Sequence, residues 1–414
     1  MSEPQRTHVY DNGLVLLAEP MPWLESAAWA IFLPAGCCCD PPSRLGLSSL
    51  TTEMVQRGCG PRDSRQFLEA LERLGVEHNS SVTAAHSSFS GATVAENLCD
   101  ALALYADLVR RPHLPAEQLE DARQVCLQEV RAAEDDVAHK VMQELRRRHY
   151  PDPWGRPSQG ELAPLERVVL KDVQTHVATT YVPRGTILAV AGNFPWERLR
   201  DTVGQLFGDW PAAAPPEVQE TSALNGYQHL TFDSSQTQIG VAFASVPYRH
   251  PDYFQARGAV GVLSDGMSSR LFTEVREKRG LCYSVYASCH SLRDRGSVQC
   301  YAGTSTQRAQ ETLNVLVDQL HQLAQGIQQA ELDRLNARIK SNLIMQQESS
   351  GSRCLALAVD WYHLGRVRTL QELGQIIDQL SCESINAYLA RNPTPTFTIV
   401  TLGAEQLEVP RAVS

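Results

Sequence analysis

The sequence has no long apolar run. None approaches the ~20 residues that a membrane-spanning helix needs, so no membrane partner is expected. Its first residues, Met1-Ser2-Glu3-Pro4-Gln5-Arg6, have neither the cationic nor the apolar region of an export signal, which points to a cytoplasmic protein. Basic charge is also scarce. Lys and Arg total 37 against 47 Asp and Glu, a formal net charge of −10. No basic stripe of the kind that nucleic acids attract is visible, so no nucleic-acid partner is expected. Paired cysteines are missing too. The 11 cysteines are an odd, scattered set, and a chain of 414 residues needs no disulfide staples, so reduced thiols are expected. The run Cys37-Cys38-Cys39 has poor metal spacing, because adjacent cysteines cannot all face one ion without strain and no second Cys or His pair stands at finger-like distance. It reads as a loop after a strand, ending at Asp40-Pro41-Pro42.

What the sequence does have is an ordinary globular composition, 43% hydrophobic and 20% charged, and enough length for two domains. The first half reads as strands at 8–10, 14–18 and 26–33, with Asn12-Gly13 as the hairpin signal. A helix is expected over 46–57. A second starts at Asp63 or Ser64, with Phe67, Leu68, Leu71 and Leu74 on one face, and stops at Gly75. Strands follow at 76–82 and 87–94, then helices at 95–110 and 115–148, a helix near 171–181 and an apolar strand at 186–192. The second half repeats the order: strand 238–244, helices at 253–263 and 269–278, and strands 283–290 and 297–301. Helices at 306–325, 329–348 and 383–391 come next, and a strand at 397–403 ends in Gly403.

Between the halves, Trp210-Pro211-Ala212-Ala213-Ala214-Pro215-Pro216-Glu217 and a polar stretch to Asn225-Gly226 read as an exposed connector. The division is therefore 1–210, a linker at 211–226, and 227–414. A duplicated module of ~200 residues is the economical interpretation. Without strict βαβ alternation, each copy is expected to be an α+β domain, a mostly antiparallel sheet covered by helices on one face.

The segment 265–285, Asp-Gly-Met-Ser-Ser-Arg-Leu-Phe-Thr-Glu-Val-Arg-Glu-Lys-Arg-Gly-Leu-Cys-Tyr-Ser-Val, closely resembles the second-domain signature of the insulinase/pitrilysin peptidases, in the branch of the bacterial enzymes and the mitochondrial processing peptidase. The likeness extends to Asn12-Gly13-Leu14, to Gly46-Leu47 before the first-domain helix, and to Tyr181-Val182-Pro183 before the Ala-Val-Ala-Gly strand. It covers nearly the whole chain. The resemblance implies two homologous domains arranged as a clamshell.

It also implies an inverted zinc motif, H-x-x-E-H, on the first-domain helix, with a further Glu about 76 residues on as ligand. Here the matching stretch is Gly46-Leu47-Ser48-Ser49-Leu50-Thr51-Thr52-Glu53-Met54. The two His positions are Ser49 and Glu53, and the base position is Thr52. Only the distal ligand is matched, by Glu129, 76 residues after Glu53. Ser49 is a poor neutral ligand, and Thr52 cannot take a proton from water near neutral pH. A self-sufficient zinc peptidase is not expected, and no cofactor is expected in this chain.

Arg276 and Tyr283, seven residues apart across a Lys-Arg-Gly turn, match the family's second-domain pair, which binds the scissile carbonyl and stabilises the oxyanion. Taken alone, Arg276 reads as a surface partner of Glu274 or Glu277, and Tyr283 as an ordinary strand aromatic. A chain with this pair and no zinc motif resembles the partner subunits of split enzymes in the family. The implied partners are a homologous zinc-containing subunit, forming a heterodimer, and a peptide substrate added as a strand to a sheet edge. The hairpin 82–94, with Ala85, His86 and Ser87, is the edge implied by the resemblance. Read by itself, His86 is an exposed residue near a turn. The runs Glu134-Asp135-Asp136 and Arg146-Arg147-Arg148-His149 read as solvated helix faces, and Cys282 as a packed strand residue. Two other readings stay open: an inert peptide-binding or assembly protein of the same fold, and a homodimer holding an unusual metal on Glu53 and Glu129.

Overall fold

The computed structural model describes residues 5–392 and 396–409. The first half contributes β1 (Arg6–Val9), β2 (Val15–Pro20), β3 (Ser26–Leu33), α1 (Leu47–Val55), the short β4 (Gly58–Cys59) and β5 (Arg62–Asp63), and α2 (Ser64–Arg73). It continues with β6 (Glu77–Val82), β7 (Ser87–Val94), α3 (Leu98–Arg110), α4 (Leu119–Asp135), α5 (Val137–His149), α6 (Leu162–Glu166), α7 (Leu170–Thr180), β8 (Ile187–Gly192) and α8 (Trp196–Phe207). The second half contributes β9 (Tyr227–Thr231), β10 (Gln236–Ser245), α9 (Tyr253–Ser264), β11 (Cys282–Ser291) and β12 (Gly296–Ser305). After these come α10 (Ala309–Leu323), α11 (Gln329–Gln346), α12 (Ser350–Leu364), α13 (Leu370–Asp378), α14 (Cys382–Arg391) and β13 (Thr398–Gly403).

Local chemistry accounts for several boundaries. Asp63 caps α2 by accepting from Gln66 N, while the Gln66 side chain accepts from Asp63 N, a reciprocal capping box. The single helix expected over 115–148 is two helices. Asp136 leaves helical geometry and its carboxylate accepts from Ala138 N and His139 N, so it ends α4 and caps α5.

The chain forms two compact units, and they are not contiguous in sequence. Among the described residues, one comprises 5–132, 152–221 and 346–367; the other comprises 133–151, 222–345, 368–392 and 396–409. Residues 211–225 form no helix or strand. The division by halves thus differs from the division into units, because α5 belongs to the second unit and α12 to the first.

The first unit is built on a six-stranded sheet of order β1-β2-β8-β3-β7-β6. One face carries the main core, in which Trp29, Ile31, Leu50, Met54, Phe67 and Phe89 are buried. The other face is covered by α12, whose Cys354, Leu357 and Ala358 pack on Leu17, Ala28, Ala30 and Ala189. Strands β2 and β8 are covered on both faces and are buried along their whole length, which explains the unbroken run of small and apolar residues in β8 and the mostly apolar β2, where Glu19 is the one charged residue.

The second unit repeats the plan with order β9-β13-β10-β12-β11. In each sheet one pair is parallel, β2 with β8 and β13 with β9, and the rest is antiparallel. One face packs under α9 and α10 in a core of Ile239, Val241, Leu263, Val298, Cys300 and Leu316. The other is covered by α5, through Val141, Met142 and Leu145 against Ala242, Tyr301, Val400 and Leu402. The expectation of helices on one face only is therefore incomplete, since each sheet has a further helix on its second face. The basic run 146–149 ends α5 against this sheet, so Arg146, Arg148 and His149 are half-buried rather than solvated.

Candidate functional site

In the second unit the sequence from Phe272 to Glu277 is wound more widely than an α-helix. Lys278 N reaches Thr273 O at 2.9 Å, an i→i−5 bond, and Leu281 N then donates to Val275 O at 2.9 Å. Single wide turns of this kind recur at functional sites because they re-aim side chains. Gly280 follows at φ +55°, where a glycine relieves the strain of the left-handed turn. The β11–β12 register then slips between Cys282 and Ser284, placing Tyr283 in a bulge on the outermost strand of the sheet.

These devices bring Arg276 and Tyr283 together. The Arg276 guanidinium carbon lies 4.8 Å from the Tyr283 ring centre and 4.9 Å from that of Phe272, so it is held by two aromatic rings. The expected surface ion pair is absent. Glu274 is taken by Lys278 at 2.6 Å and Arg279 at 2.7 Å, and Arg276 has no carboxylate partner among the described residues. Arg308 closes the turn by donating to Gly280 O and Arg279 O. The tyrosine is 83% exposed. A positioned cation with free N–H donors thus stands beside a free phenol. Phe272 was not singled out from the sequence, although its place four residues before Arg276 on a helical stretch is a legible signal.

In the first unit α1 starts where Asp40 accepts from Gly46 N at 2.8 Å, Ser48 N at 2.9 Å and Ser48 Oγ at 2.6 Å. Burial raises the Asp40 pKa to about 6, although these bonds oppose the shift. Each position of the degenerate cluster is then occupied by its own chemistry. The Ser49 hydroxyl donates to Ser158 O at 2.6 Å. Thr52 is buried and donates to Ser87 Oγ at 3.2 Å, which itself donates to Ala35 O at 2.7 Å. Glu53 pairs with Arg57 at 2.7 Å. Glu129 has its carboxyl raised, first by partial desolvation and then by the Glu53 carboxylate, so the two acids are neighbours in space. Arg57, which sequence reasoning missed, sits where a cation is electrostatically favoured. These donors do not fit zinc, for want of a neutral nitrogen or thiolate ligand and of a base. Among the described residues no group of three or more His, Cys, Asp and Glu is arranged so that it could hold a metal ion.

The hairpin 82–94 needs correction as the open edge. Strand β7 is paired on both sides, by β3 and β6, and the edge strand on that side of the sheet is β6, Glu77–Val82. Ser87 is fully buried, and Ala85 lies in the turn closed by Thr83 N to His86 O. His86 is also buried, its ring 4.3 Å from that of Tyr362 and 5.4 Å from that of Phe32, because α12 covers this face. The Cys37–Cys39 segment is a single turn of tight helix, and all 11 cysteines are free thiols. No helix among the described residues is long and apolar enough to cross a membrane.

Comparison with known proteins adds an independent line. Residues 16–158 match the sequence model described as Insulinase (Peptidase family M16), and residues 167–339 match Peptidase M16 inactive domain. A Rickettsia bellii protein described as an uncharacterised zinc protease is 24% identical over 96% of this chain and 97% of its own length. A Mycobacterium tuberculosis protein with the same description is 27% identical over 93% of this chain and 89% of its own. The crystal structure of a peptidase M16 inactive domain from Pseudomonas fluorescens superposes with a TM-score of 0.89 at 21% identity, covering 99% of this chain and 100% of that one. That likeness shows the shared two-domain fold.

Proposed function

This chain belongs to the insulinase family of peptidases, and from that premise we propose that it is the zinc-free subunit of a heterodimeric zinc peptidase, supplying Arg276 and Tyr283 to a partner's active site. The partner carries the H-x-x-E-H motif and the zinc; this chain carries donors for the scissile carbonyl of a peptide. The observation that supports this reading best is the unpaired Arg276 guanidinium held over an exposed Tyr283 ring. An arginine retained only for stability would be expected to use Glu274 or Glu277 nearby. A guanidinium and a phenol O–H aimed at a peptide carbonyl stabilise the negative charge that grows on its oxygen when a metal-activated water attacks. Arg suits the role because its charge persists at all working pH values and its N–H fork is planar.

The first unit supports a division of labour. With Thr52 donating to Ser87 and Glu53 paired to Arg57, neither the base position nor the second His position of the motif carries a side chain free to activate water. Peptide strands can add to the free edge of β6, whose backbone groups face no neighbour in the sheet.

The test is reconstitution. The isolated chain should cleave no peptide, and mixing with its zinc-bearing partner should give chelator-sensitive cleavage. Arg276→Ala or Tyr283→Phe should then lower kcat by roughly 10²–10³ with assembly intact. Full activity in a mixture made with Arg276→Ala would exclude the proposed role and favour an inert binding or assembly protein.

A further inference from the structure

We infer that Arg146, flanked by Tyr150, Tyr286 and His290 on the polar face of the second sheet, is an acceptor site for a carboxylate of a bound peptide. The inference depends on the peptide-binding reading above only for the identity of the molecule that carries the carboxylate.

Arg146 lies in the last turn of α5, one residue after Leu145, which is buried against the sheet with Met142 and Tyr301. Along β11 and β12, Val285, Ala287, Cys289, Val298 and Cys300 point into the core under α9 and α10. The alternate residues, Tyr286, His290, Ser297, Gln299 and Tyr301, therefore share the α5 side. There the Tyr150 hydroxyl stands 2.7 Å from His290 Nδ1 and 2.7 Å from Ser297 Oγ. The rings of Tyr286 and Tyr301 are 5.2 Å apart.

Within this group Arg146 is a half-buried cation with no hydrogen bond or ion pair from its side chain among the described residues. Its neighbours confirm the lack of a compensating anion. Burial lowers the Arg146 pKa, and Tyr286 and Tyr150 are the only groups that oppose the shift. His290 is lowered to about 4 by burial, by Arg146 and by His149. His149 is lowered by burial as well, so both imidazoles are neutral at pH 7. Asp136, at the other end of α5, acts on Tyr286 and Tyr301 and is exposed; Arg295 acts on Tyr150.

A half-buried guanidinium without a counter-ion has lost part of its hydration with no ionic contact in exchange, which disfavours the fold. The helix dipole favours a cation in the last turn of α5, but only weakly, and it would favour an exposed Arg147 equally. The arrangement becomes electrostatically complete when an anion arrives. The planar N–H fork of Arg146 pairs with both oxygens of a carboxylate, and the hydroxyl of the exposed Tyr286 is an additional donor on the same face. The ligand class is therefore a carboxylate on a peptide, either an Asp or Glu side chain or a C-terminus.

Small probes test the site on the isolated chain. N-acetylglutamate α-amide presents a side-chain carboxylate, N-acetylglycine a terminal one, and N-acetylglutamine amide neither. Their binding is followed through the NMR signal of the His290 ring, identified with His290→Gln. A carboxylate neutralising Arg146 should raise the His290 pKa from about 4, with saturation at about millimolar concentration, as one charged pair allows. The carboxylate that acts at the lower concentration identifies the source. The neutral amide should have no effect, Arg146→Met should abolish the response and Arg146→Lys should retain part of it. In addition, Arg146→Met should raise the melting temperature, because it removes an uncompensated charge.

The inference is overturned if neither carboxylate shifts His290, if Arg146→Met responds like the natural chain, or if that variant melts lower. None of these measurements involves the partner or turnover. Their failure would leave the Arg276 and Tyr283 role standing, and failure of the reconstitution test would leave this site standing.

Discussion

Replacing Arg353 tests what fixes α12 to the first unit. This side chain is 2% exposed and its guanidinium binds Glu19 of β2 through two bonds, Nε to Oε1 at 2.9 Å and an Nη to Oε2 at 2.7 Å; Glu19 is 8% exposed. Gln5 adds a third bond to the same carboxylate at 2.8 Å. Arg353→Ala leaves Glu19 charged and buried with one neutral donor. Breaking a buried pair from one side costs about 3–5 kcal/mol. For a unit in the range of 150–250 residues, each kcal/mol lowers Tm by ~2–4 °C. The transition of the first unit should therefore fall by about 6–20 °C in scanning calorimetry, while that of the second unit stays in place. Replacing both partners, Glu19→Leu with Arg353→Met, removes the stranded charge and should recover most of the loss. The reasoning fails if Arg353→Ala melts within about 0.5 kcal/mol of the natural chain, the range of an ordinary surface change. It fails equally if the second unit's transition is the one that moves.

Two further tests concern titratable groups in the first unit. His176 has its pKa lowered from 6.5 to about 4 by burial, so the unfolded chain binds more protons than the folded one between these values. Its stabilising contribution is present above pH 6.5 and is lost as pH falls toward 4, by ~3 kcal/mol in all. Asp40, raised to about 6, has the opposite sign and gains stability on acidification, so the test is a comparison of variants. Urea unfolding of His176→Gln should decline less than the natural chain between pH 6.5 and 4; parallel curves would refute the assignment. Arg57→Met leaves Glu53 and Glu129 facing each other without the cation. It should destabilise the first unit by about 1–2 kcal/mol at pH 7, with the deficit shrinking on acidification as Glu129, whose carboxyl is raised, takes up a proton. A deficit independent of pH would mean that Arg57 acts by packing alone.

Strand and helix order was legible in the sequence wherever periodicity and turn chemistry agreed. The hairpin at Asn12-Gly13, the capping box at Asp63 and Gln66, and the strands at 26–33 and 87–94 all formed as the residues indicate. The split at Asp136 was hidden because the surrounding residues favour helix throughout and one side-chain cap decides the break. The burial of His86 was hidden for a different reason. Its cover, Tyr362, lies far along the chain, and no local pattern reports a helix arriving from the other half. At the candidate site the pair Arg276 and Tyr283 came into view through the resemblance of segment 265–285 to the family signature. What that resemblance could not show is that Glu274 would be occupied by Lys278 and Arg279, leaving Arg276 without a carboxylate partner. The degenerate cluster was visible as substitutions, whereas the Arg57 that pairs with Glu53 came into view only with the helix in three dimensions.

The exchange of α5 and α12 between the two halves has a consequence for how the protein is made. During synthesis the first sheet emerges early, yet the helix that covers its second face is not translated until residue 364. Until then Val15, Leu17, Ala28 and Ala30 face solvent on a growing chain, and α5 waits exposed for strands β10 and β13. The ribosome therefore releases neither unit complete before nearly the whole polypeptide exists. A gene cut at the Pro-rich connector would yield two pieces that must find each other to become folded, which binds the two halves into a single inheritable unit.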